Sequence, residues 1–214
     1  MATKKAAPRS AAKRSNGKEK HERILKAAIK VFAKHGFHNS KISQIAKEAG
    51  VADGTIYLYF RNKDDILIRL FEEKMEAAIA DFNNVLSTVS DPVEKLRTFI
   101  GHYVGYMEKE RALAEVISVE LRQSNKFMKE YVPVKFGEFL KILSGIIIEG
   151  KDKGVFRQEI RPGIAKRAIF GALDEMALYW VLTPKPKYAP PKIAETLTLM
   201  FMEGLTLPRP AGDV

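Results

Sequence analysis

The sequence predicts an all-α protein of about nine helices, with a small N-terminal domain of three helices followed by a larger helical body. Two observations support this prediction. Apolar residues recur at helical spacing from residue 20 onward, and no stretch alternates apolar and polar residues as a half-buried strand would. Glycine or proline separates the periodic stretches, and these residues commonly mark helix ends and starts.

The composition is that of a globular protein and excludes several classes. The chain has 214 residues, no cysteine and a formal net charge of +10, with 46% hydrophobic and 29% charged residues. A chain without cysteine has no disulfide framework, no Cys-ligated metal and no thiol catalysis. No apolar run reaches the roughly 18 residues of a membrane span, and the N-terminus lacks an apolar secretory segment. We therefore expect a cytoplasmic protein that does not enter the membrane.

The N-terminal domain is expected over residues 21–63, after a basic tail at residues 1–20. The tail has no large apolar residue beyond Met1, so we expect it to be disordered. The first helix covers about residues 20–35, and Gly36 ends it.

Two shorter helices follow in this domain. Asn39 or Ser40 is expected to cap the second helix, and Gly50 to end it. The third covers about residues 53–60. The inner face of the second helix is predicted to comprise Ile42, Ile45, Ala46 and Ala49.

The body is expected to contain only helices. Asn62 is predicted to cap a long fourth helix over about residues 63–86, and Asp91-Pro92 to open a fifth. Further helices are expected at about residues 110–123, 126–151, 162–182 and 190–205. Pro133 and Gly145 are expected to kink the longest of these.

The positive charge is concentrated at one end of the chain. Residues 1–20 carry a net charge of +6, residues 21–63 carry +5, and residues 64–214 carry −1. A basic segment joined to a neutral body is typical of a protein whose one end binds nucleic acid. The charge changes near Lys63, and we place the domain boundary there.

Residues 42–61, ISQIAKEAGVADGTIYLYFR, have the spacing of a helix-turn-helix. Ala46 is small where two helices would cross closely, and Gly50 suits a turn that needs a positive φ. The apolar positions that would hold the two helices together are Ile45, Ala49, Val51 and Ile56. With the preceding helix and the local positive charge, this pattern predicts a DNA-binding domain.

The third helix is then the recognition helix. Tyrosine hydroxyls can bond phosphates, and tyrosine rings can pack on thymine methyls. Gly54 permits close approach of the backbone to a phosphate, and Lys41 and Lys63 can each bind one. Asp53 suits a helix N-terminus and can accept a hydrogen bond from cytosine. Tyr59 can equally be a half-buried packing residue. The candidate DNA contacts are Lys41, Asp53, Gly54, Thr55, Tyr57, Leu58, Tyr59 and Lys63.

Residues 36–67, GFHNSKISQIAKEAGVADGTIYLYFRNKDDIL, resemble the DNA-binding segment of the TetR family of bacterial one-component repressors. The matching elements are the first glycine, A-G-V, G-T-I-Y-x-Y-F and N-K. The resemblance implies a dimeric regulator whose first three helices bind DNA, whose remaining helices form a ligand pocket, and whose last two helices form the dimer interface. Two positions depart from the family: Ala52 replaces the usual Ser, and Lys41 a common Thr or Ser.

A narrower resemblance extends into the body. VADGTIYLYF, DILIRLF, ELRQSN, and an IFG followed by Asp174, Glu175 and Trp180 are similar to the fatty-acid-degradation (FadR-type) regulators of this family. These sense long-chain acyl-CoA. The resemblance implies a repressor of fatty-acid metabolism genes that long-chain acyl-CoA releases from a palindromic operator. A family member that senses another hydrophobic molecule, as in multidrug efflux control, and a structural DNA-binding protein are the alternatives.

The body has apolar and aromatic residues at helical spacing, as an acyl-chain pocket requires and as an ordinary core also shows. Arg122, beside Gln123, can bind an anionic headgroup or form a salt bridge with Asp174 or Glu175. The candidate ligand contacts are Phe99, Tyr103, Met107, Ile117, Leu121, Arg122, Gln123, Phe139, Leu143 and Phe170.

The last two predicted helices are strongly apolar, so we expect them to form a homodimer that presents two recognition helices to palindromic double-stranded DNA. The other expected partner is a hydrophobic small molecule, and the body over residues 64–214 is then the ligand-binding and dimerisation domain.

We expect no cofactor and no metal. His35 and His38 have no flanking carboxylate cluster and no phosphate-binding loop is present, so we expect no enzymatic activity.

Overall fold

The structure is a computed structural model that describes the backbone of residues 9–207 and the side chains of residues 17–207. Over this part of the chain it contains ten α-helices and a 3-10 turn, and the only extended pairing is one bridge between Phe156 and Thr206. The predicted all-α class is confirmed. None of the described helices combines the length and apolar composition required to cross a bilayer.

The helices follow one another with short connections. Their bounds are α1 Arg9–His35, α2 Ile42–Ala49, α3 Asp53–Ile56, α4 Lys63–Ser87, α5 Pro92–Lys109, α6 Arg111–Ser118, the 3-10 turn Glu120–Gln123, α7 Asn125–Lys129, α8 Val134–Asp152, α9 Pro162–Leu182 and α10 Pro190–Leu205. Helix α1 begins well before the expected residue 20, so residues 9–20 of the tail predicted to be disordered are helical here. Residues 1–8 of that tail lie outside the described residues.

The helix-turn-helix closes around a glycine with a left-handed backbone. Gly50 has φ 63°, and its amide donates to the carbonyls of Ala46 and Lys47. The guanidinium of Arg23 on α1 donates to the carbonyls of Ala49 and Gly50. The turn is thus held both by its own backbone and by the supporting helix.

Two predictions about these short helices are wrong. The N-cap of α2 is Lys41, whose amide donates to the Gln44 side chain, because the Ser40 hydroxyl instead donates back to the Gly36 and Val31 carbonyls. Helix α3 ends at Ile56 instead of residue 60, because the Leu58 and Tyr59 amides donate to carbonyls three residues back and form a tight turn.

The body helices surround a common core. Helix α4 packs on α8, α5 packs on α8 and α10, and α9 packs on α6 and α8. The predicted cap at Asn62 is confirmed, since its side chain accepts a hydrogen bond from the Asp65 amide. Asp91-Pro92 opens α5 as expected, and the Asp91 side chain accepts from the Val93 amide. The predicted helix at 126–151 is two helices, α7 and α8, because the chain breaks before Pro133 instead of bending there. Gly145 lies within the continuous α8.

The body also contacts the N-terminal helices. Helix α6 packs on α1 as well as on α9. The 3-10 turn that follows α6 replaces the last turns of the helix predicted at 110–123. One continuous set of buried apolar residues therefore runs from α1 through the body.

Candidate DNA-binding surface and ligand cavity

The start of α3 and the turn after it form an exposed surface on the N-terminal domain. Tyr57 and Leu58 are 59% and 81% exposed, although large apolar side chains usually avoid water. Asp53, Gly54 and Lys41 are exposed nearby in sequence, at the starts of α3 and α2. This surface offers ring, hydroxyl, backbone and ammonium groups to a partner.

The other side of α3 is packed against the domain. Ile56 and Phe60 are 0% and 1% exposed, as the four-residue spacing predicts. Thr55 and Tyr59 are half-buried, and the Tyr59 ring lies 6.1 Å from the His21 ring on α1. Tyr59 thus has a packing role, and Thr55 lies at the edge of the exposed surface.

The side chain of Lys63 points into the domain instead of outward to a phosphate. Its ammonium donates to the carbonyls of Phe37, His38 and Ser40, and it lies 4.6 Å from the centre of the Phe37 ring. Burial lowers the pKa of this ammonium, and the neighbouring Asp64 carboxylate offsets part of that effect. The structure therefore replaces the predicted phosphate contact with a link between α4 and the loop after α1.

The body contains a partly open cavity of about 330 Å³. Helices α4 to α9 and the 3-10 turn all contribute to its walls. The predicted contacts that line it are Tyr103, Met107, Ile117, Leu121, Arg122, Phe139 and Phe170. Further lining residues include Phe71, Lys74, Met75, Ala78, Phe82, Ala114, Ser118, Phe127, Met128, Tyr131, Phe136 and Asp174. A largely apolar concave site with a few polar groups is typical of a small-molecule pocket.

Three predicted ligand contacts lie elsewhere. Phe99 and Leu143 are fully buried and do not line the cavity. The Phe99 ring packs behind the cavity wall, against the Phe82 and Phe139 rings. Gln123 is exposed on the 3-10 turn. Helical spacing alone does not separate a residue of the wall from one directly behind it.

The polar groups of the cavity include an ion pair. The Arg122 guanidinium donates to the Asp174 carboxylate and to the Ser118 carbonyl, the latter at 2.7 Å. Of the two salt-bridge partners that the sequence allowed, the structure has Asp174. Burial, and then the Asp174 charge, raises the pKa of the nearby Tyr103 hydroxyl, which therefore stays protonated.

Helix α4 also lines the cavity, although none of the predicted ligand contacts lies on it. Phe71 and Met75 line the cavity together with Lys74. The four-residue spacing of Phe71 and Met75 places both apolar side chains on one face of α4, and such a pattern does not separate cavity lining from core. The Phe127 and Tyr131 rings, which stack at 5.0 Å, extend the same wall.

Residues 120–124 connect the cavity wall to the N-terminal helices. The Phe37 amide donates to the Glu120 carboxylate, and the Ser124 hydroxyl bonds the Asp64 carboxylate at 2.6 Å. Leu121, between them, lines the cavity. One short segment therefore contacts the cavity, the loop after α1 and the first turn of α4.

Comparisons with known proteins agree with this architecture. Residues 24–70 match the bacterial regulatory proteins of the tetR family, and residues 71–204 match the C-terminal region of YsiA-like proteins. The chain is 37% identical over 186 residues to the fatty acid metabolism regulator protein of Bacillus subtilis, which covers 87% of this chain and 95% of that relative.

Two solved structures of fatty-acid regulators also resemble this chain in fold and sequence. The Bacillus subtilis regulator FadR in complex with stearoyl-CoA matches with a TM-score of 0.80 and 37% identity, over 86% of this chain and 98% of that one. FadR from Bacillus halodurans matches with a TM-score of 0.79 and 38% identity, over 86% and 98% of the two chains.

A helix-turn-helix joined to a helical body with an apolar cavity defines a ligand-responsive DNA-binding regulator. The chain belongs to the TetR family of bacterial transcriptional regulators. The resemblance to the regulators of fatty-acid metabolism within that family is confirmed.

Proposed function

We propose that this chain is a homodimeric repressor of fatty-acid metabolism genes that leaves a palindromic operator when a long-chain acyl-CoA enters its cavity. The observation that carries the proposal is the cavity, whose largely apolar walls also include the Arg122 and Lys74 side chains. The stearoyl-CoA bound to the Bacillus subtilis FadR supports the same ligand class. A repressor of chromosomal genes acts in the cytoplasm.

The walls of the cavity suit an acyl chain. They are mainly phenylalanine, methionine and aliphatic side chains contributed by several helices. Burial stabilises a bound chain by about 0.8 kcal/mol per methylene, so affinity should change roughly tenfold for every two methylenes. Chain length is therefore expected to determine affinity until the cavity is full.

The charges at the cavity favour an anionic ligand over an aromatic cation. Arg122 and Asp174 both line it and neutralise each other as an ion pair, so neither is free for a ligand. Lys74 also lines the cavity and leaves its charged groups with a net charge of +1. This arrangement favours acyl-CoA over the ligands of multidrug regulators.

The exposed surface at α3 is the proposed DNA contact. Tyr57 and Leu58 can pack on bases in the major groove, and Lys41 can bind a phosphate. Gly54 leaves the backbone open to the phosphate chain, and Asp53 stays a candidate for a cytosine contact. The positive charge of residues 1–63 supports this orientation towards DNA.

Helices α9 and α10 are the proposed dimer interface. Exposed apolar side chains occur on both, at Ile164, Leu182, Leu199 and Met200, which are 66%, 58%, 61% and 63% exposed. Apolar residues at this exposure on adjacent helices are typical of a surface that a partner covers. A two-fold pair of chains would present two α3 surfaces to a palindrome.

Residues 120–124 are the proposed link between ligand and DNA. A ligand that displaces Leu121 or Arg122 would also move Glu120 and Ser124, which bond the loop after α1 and the start of α4. The α3 surface follows that loop in the same domain. The ligand changes DNA affinity only if it binds the two arrangements with different affinities.

The test is operator release measured by fluorescence anisotropy on DNA from upstream of the gene. Stearoyl-CoA should release the protein, a shorter acyl-CoA should do so more weakly, and an aromatic cation should not. Ala78, on α4, lines the cavity, whereas Ala77 on the same helix is exposed. Ala78→Phe should bind the operator normally but need at least tenfold more stearoyl-CoA for release, because the ring occupies the ligand's volume.

Ala77→Phe is the matched control and should respond like the wild type. Release by an aromatic cation but not by acyl-CoA would instead support a drug-sensing regulator. Equal release of the wild type and Ala78→Phe would show that the ligand does not bind in this cavity.

A further inference from the structure

The Ser118 hydroxyl is an unusual group in the cavity wall. Ser118 is 1% exposed, lies at the last position of α6 and lines the cavity. Among the side chains of residues 17–207, its Oγ is a buried polar atom that has no hydrogen-bond partner. Buried hydroxyls in proteins are nearly always bonded, so this one calls for an explanation.

A helical serine has an easy way to satisfy its hydroxyl, which is to donate to the carbonyl four residues earlier. Ser144 on α8 does this, since its Oγ donates to the Leu140 carbonyl at 3.3 Å and to the Lys141 carbonyl at 3.1 Å. Ser118 makes no such bond. Its donor is therefore available to a molecule in the cavity.

The position of Ser118 narrows the choice of ligand group. Arg122 follows one turn later, bonds the Ser118 carbonyl, and has a side chain that is 46% exposed. Ala114 precedes it by one turn and is a buried apolar part of the wall. Ser118 thus lies between the apolar interior and a charged group that reaches solvent.

We propose that the Ser118 hydroxyl donates a hydrogen bond to the thioester carbonyl of a bound acyl-CoA and so selects thioesters over ligands that lack this carbonyl. In an acyl-CoA the carbonyl joins the apolar chain to the polar carrier, which is the boundary that Ser118 occupies. The assignment rests on the proposed function. It adds recognition of the thioester carbonyl, which burial of the acyl chain alone does not provide.

The test compares two ligands that differ only at the carbonyl. Stearoyl-CoA has the thioester, and S-octadecyl-CoA has a methylene in place of the carbonyl. Dissociation constants are measured by calorimetry on the full-length protein without DNA. The wild type should bind the thioester about tenfold more tightly, the upper range for one neutral hydrogen bond.

Two variants locate the donor. Ser118→Ala should lose the preference, because the carbonyl then enters the cavity without a partner. Ser144→Ala removes a hydroxyl of the same kind that does not line the cavity, and it should keep the wild-type preference. Thermal unfolding of each variant verifies that it is folded.

The outcomes are distinct. A wild type that binds both ligands equally, or a Ser118→Ala protein that keeps the preference, would overturn the assignment while leaving acyl-CoA sensing intact. A wild type that binds neither ligand would refute the proposed function and this assignment with it. The expected pattern is a preference present in the wild type and Ser144→Ala and absent in Ser118→Ala.

Discussion

The N-terminal helices and the body differ in how their interiors are filled. In the N-terminal domain, Phe32, Ala46 and Ile56 are all 0% exposed and close-packed. In the body, equally buried residues such as Phe139 line a cavity of about 330 Å³. A packed domain holds its surface in one arrangement, whereas a domain built around a cavity can adjust to what enters it. The division suits a protein in which one end binds a fixed surface and the other responds to a ligand.

The largest expected effect tests this difference directly. Phe32→Ala should destabilise the protein by about 3–5 kcal/mol, since the removed ring leaves a void in a filled core. Phe139→Ala should cost less, because one side of that ring already lacks neighbouring atoms. Urea unfolding followed by circular dichroism measures both. Equal losses would mean that the wall of the cavity is packed as tightly as the N-terminal core.

A second prediction concerns the connection between the two regions. Glu120→Ala removes the carboxylate that accepts a hydrogen bond from the Phe37 amide. Stearoyl-CoA should still bind the DNA-free protein within about twofold of wild type, but its effect on operator affinity should fall about fivefold, the scale of one such contact. Binding of each ligand is measured with and without the other.

Glu76 provides the control for this experiment. It is exposed on α4, so Glu76→Ala should leave the coupling between ligand and DNA unchanged. An unaltered coupling in Glu120→Ala would remove residues 120–124 from the proposed mechanism.

The two regions also differ in how much of them could be predicted from the sequence. The helix-turn-helix depends on residues close together in the chain, such as Ala46, Gly50 and Ile56, so its local pattern is informative. Lys63 lies two residues after that motif, but its partners Phe37 and Ser40 lie more than twenty residues away in the chain. Its role could not be derived from local spacing.

The cavity was predictable only in part, for a related reason. Its walls come from six helices and a turn, so membership depends on how the helices pack. Phe99 and Phe139 have the same chemistry and the same helical spacing, yet only Phe139 lines the cavity. Ser118 was missed because nothing in its local sequence distinguishes it from a serine bonded to its own helix.

The smallest expected effect isolates the DNA-binding surface from the stability of its domain. Gly54 on α3 has no positive φ, and a Cβ added there would meet no atom within 4 Å. Gly54→Ala should therefore fold normally and even favour the helix by about 0.5–1 kcal/mol. If the backbone at Gly54 approaches a phosphate, the added methyl group should weaken operator binding about fivefold, the scale of one lost hydrogen bond.

Gly137 on α8 makes the comparison specific, because it too has open space around its Cβ and lies in the body. Gly137→Ala is the same chemical change and should leave anisotropy-measured operator affinity unaltered. Since neither methyl group meets another protein atom, a loss of affinity in Gly54→Ala alone must come from contact with DNA. Equal affinities in the two variants would place the DNA contact away from the start of α3, and Tyr57 and Leu58 would then need another explanation for their exposure.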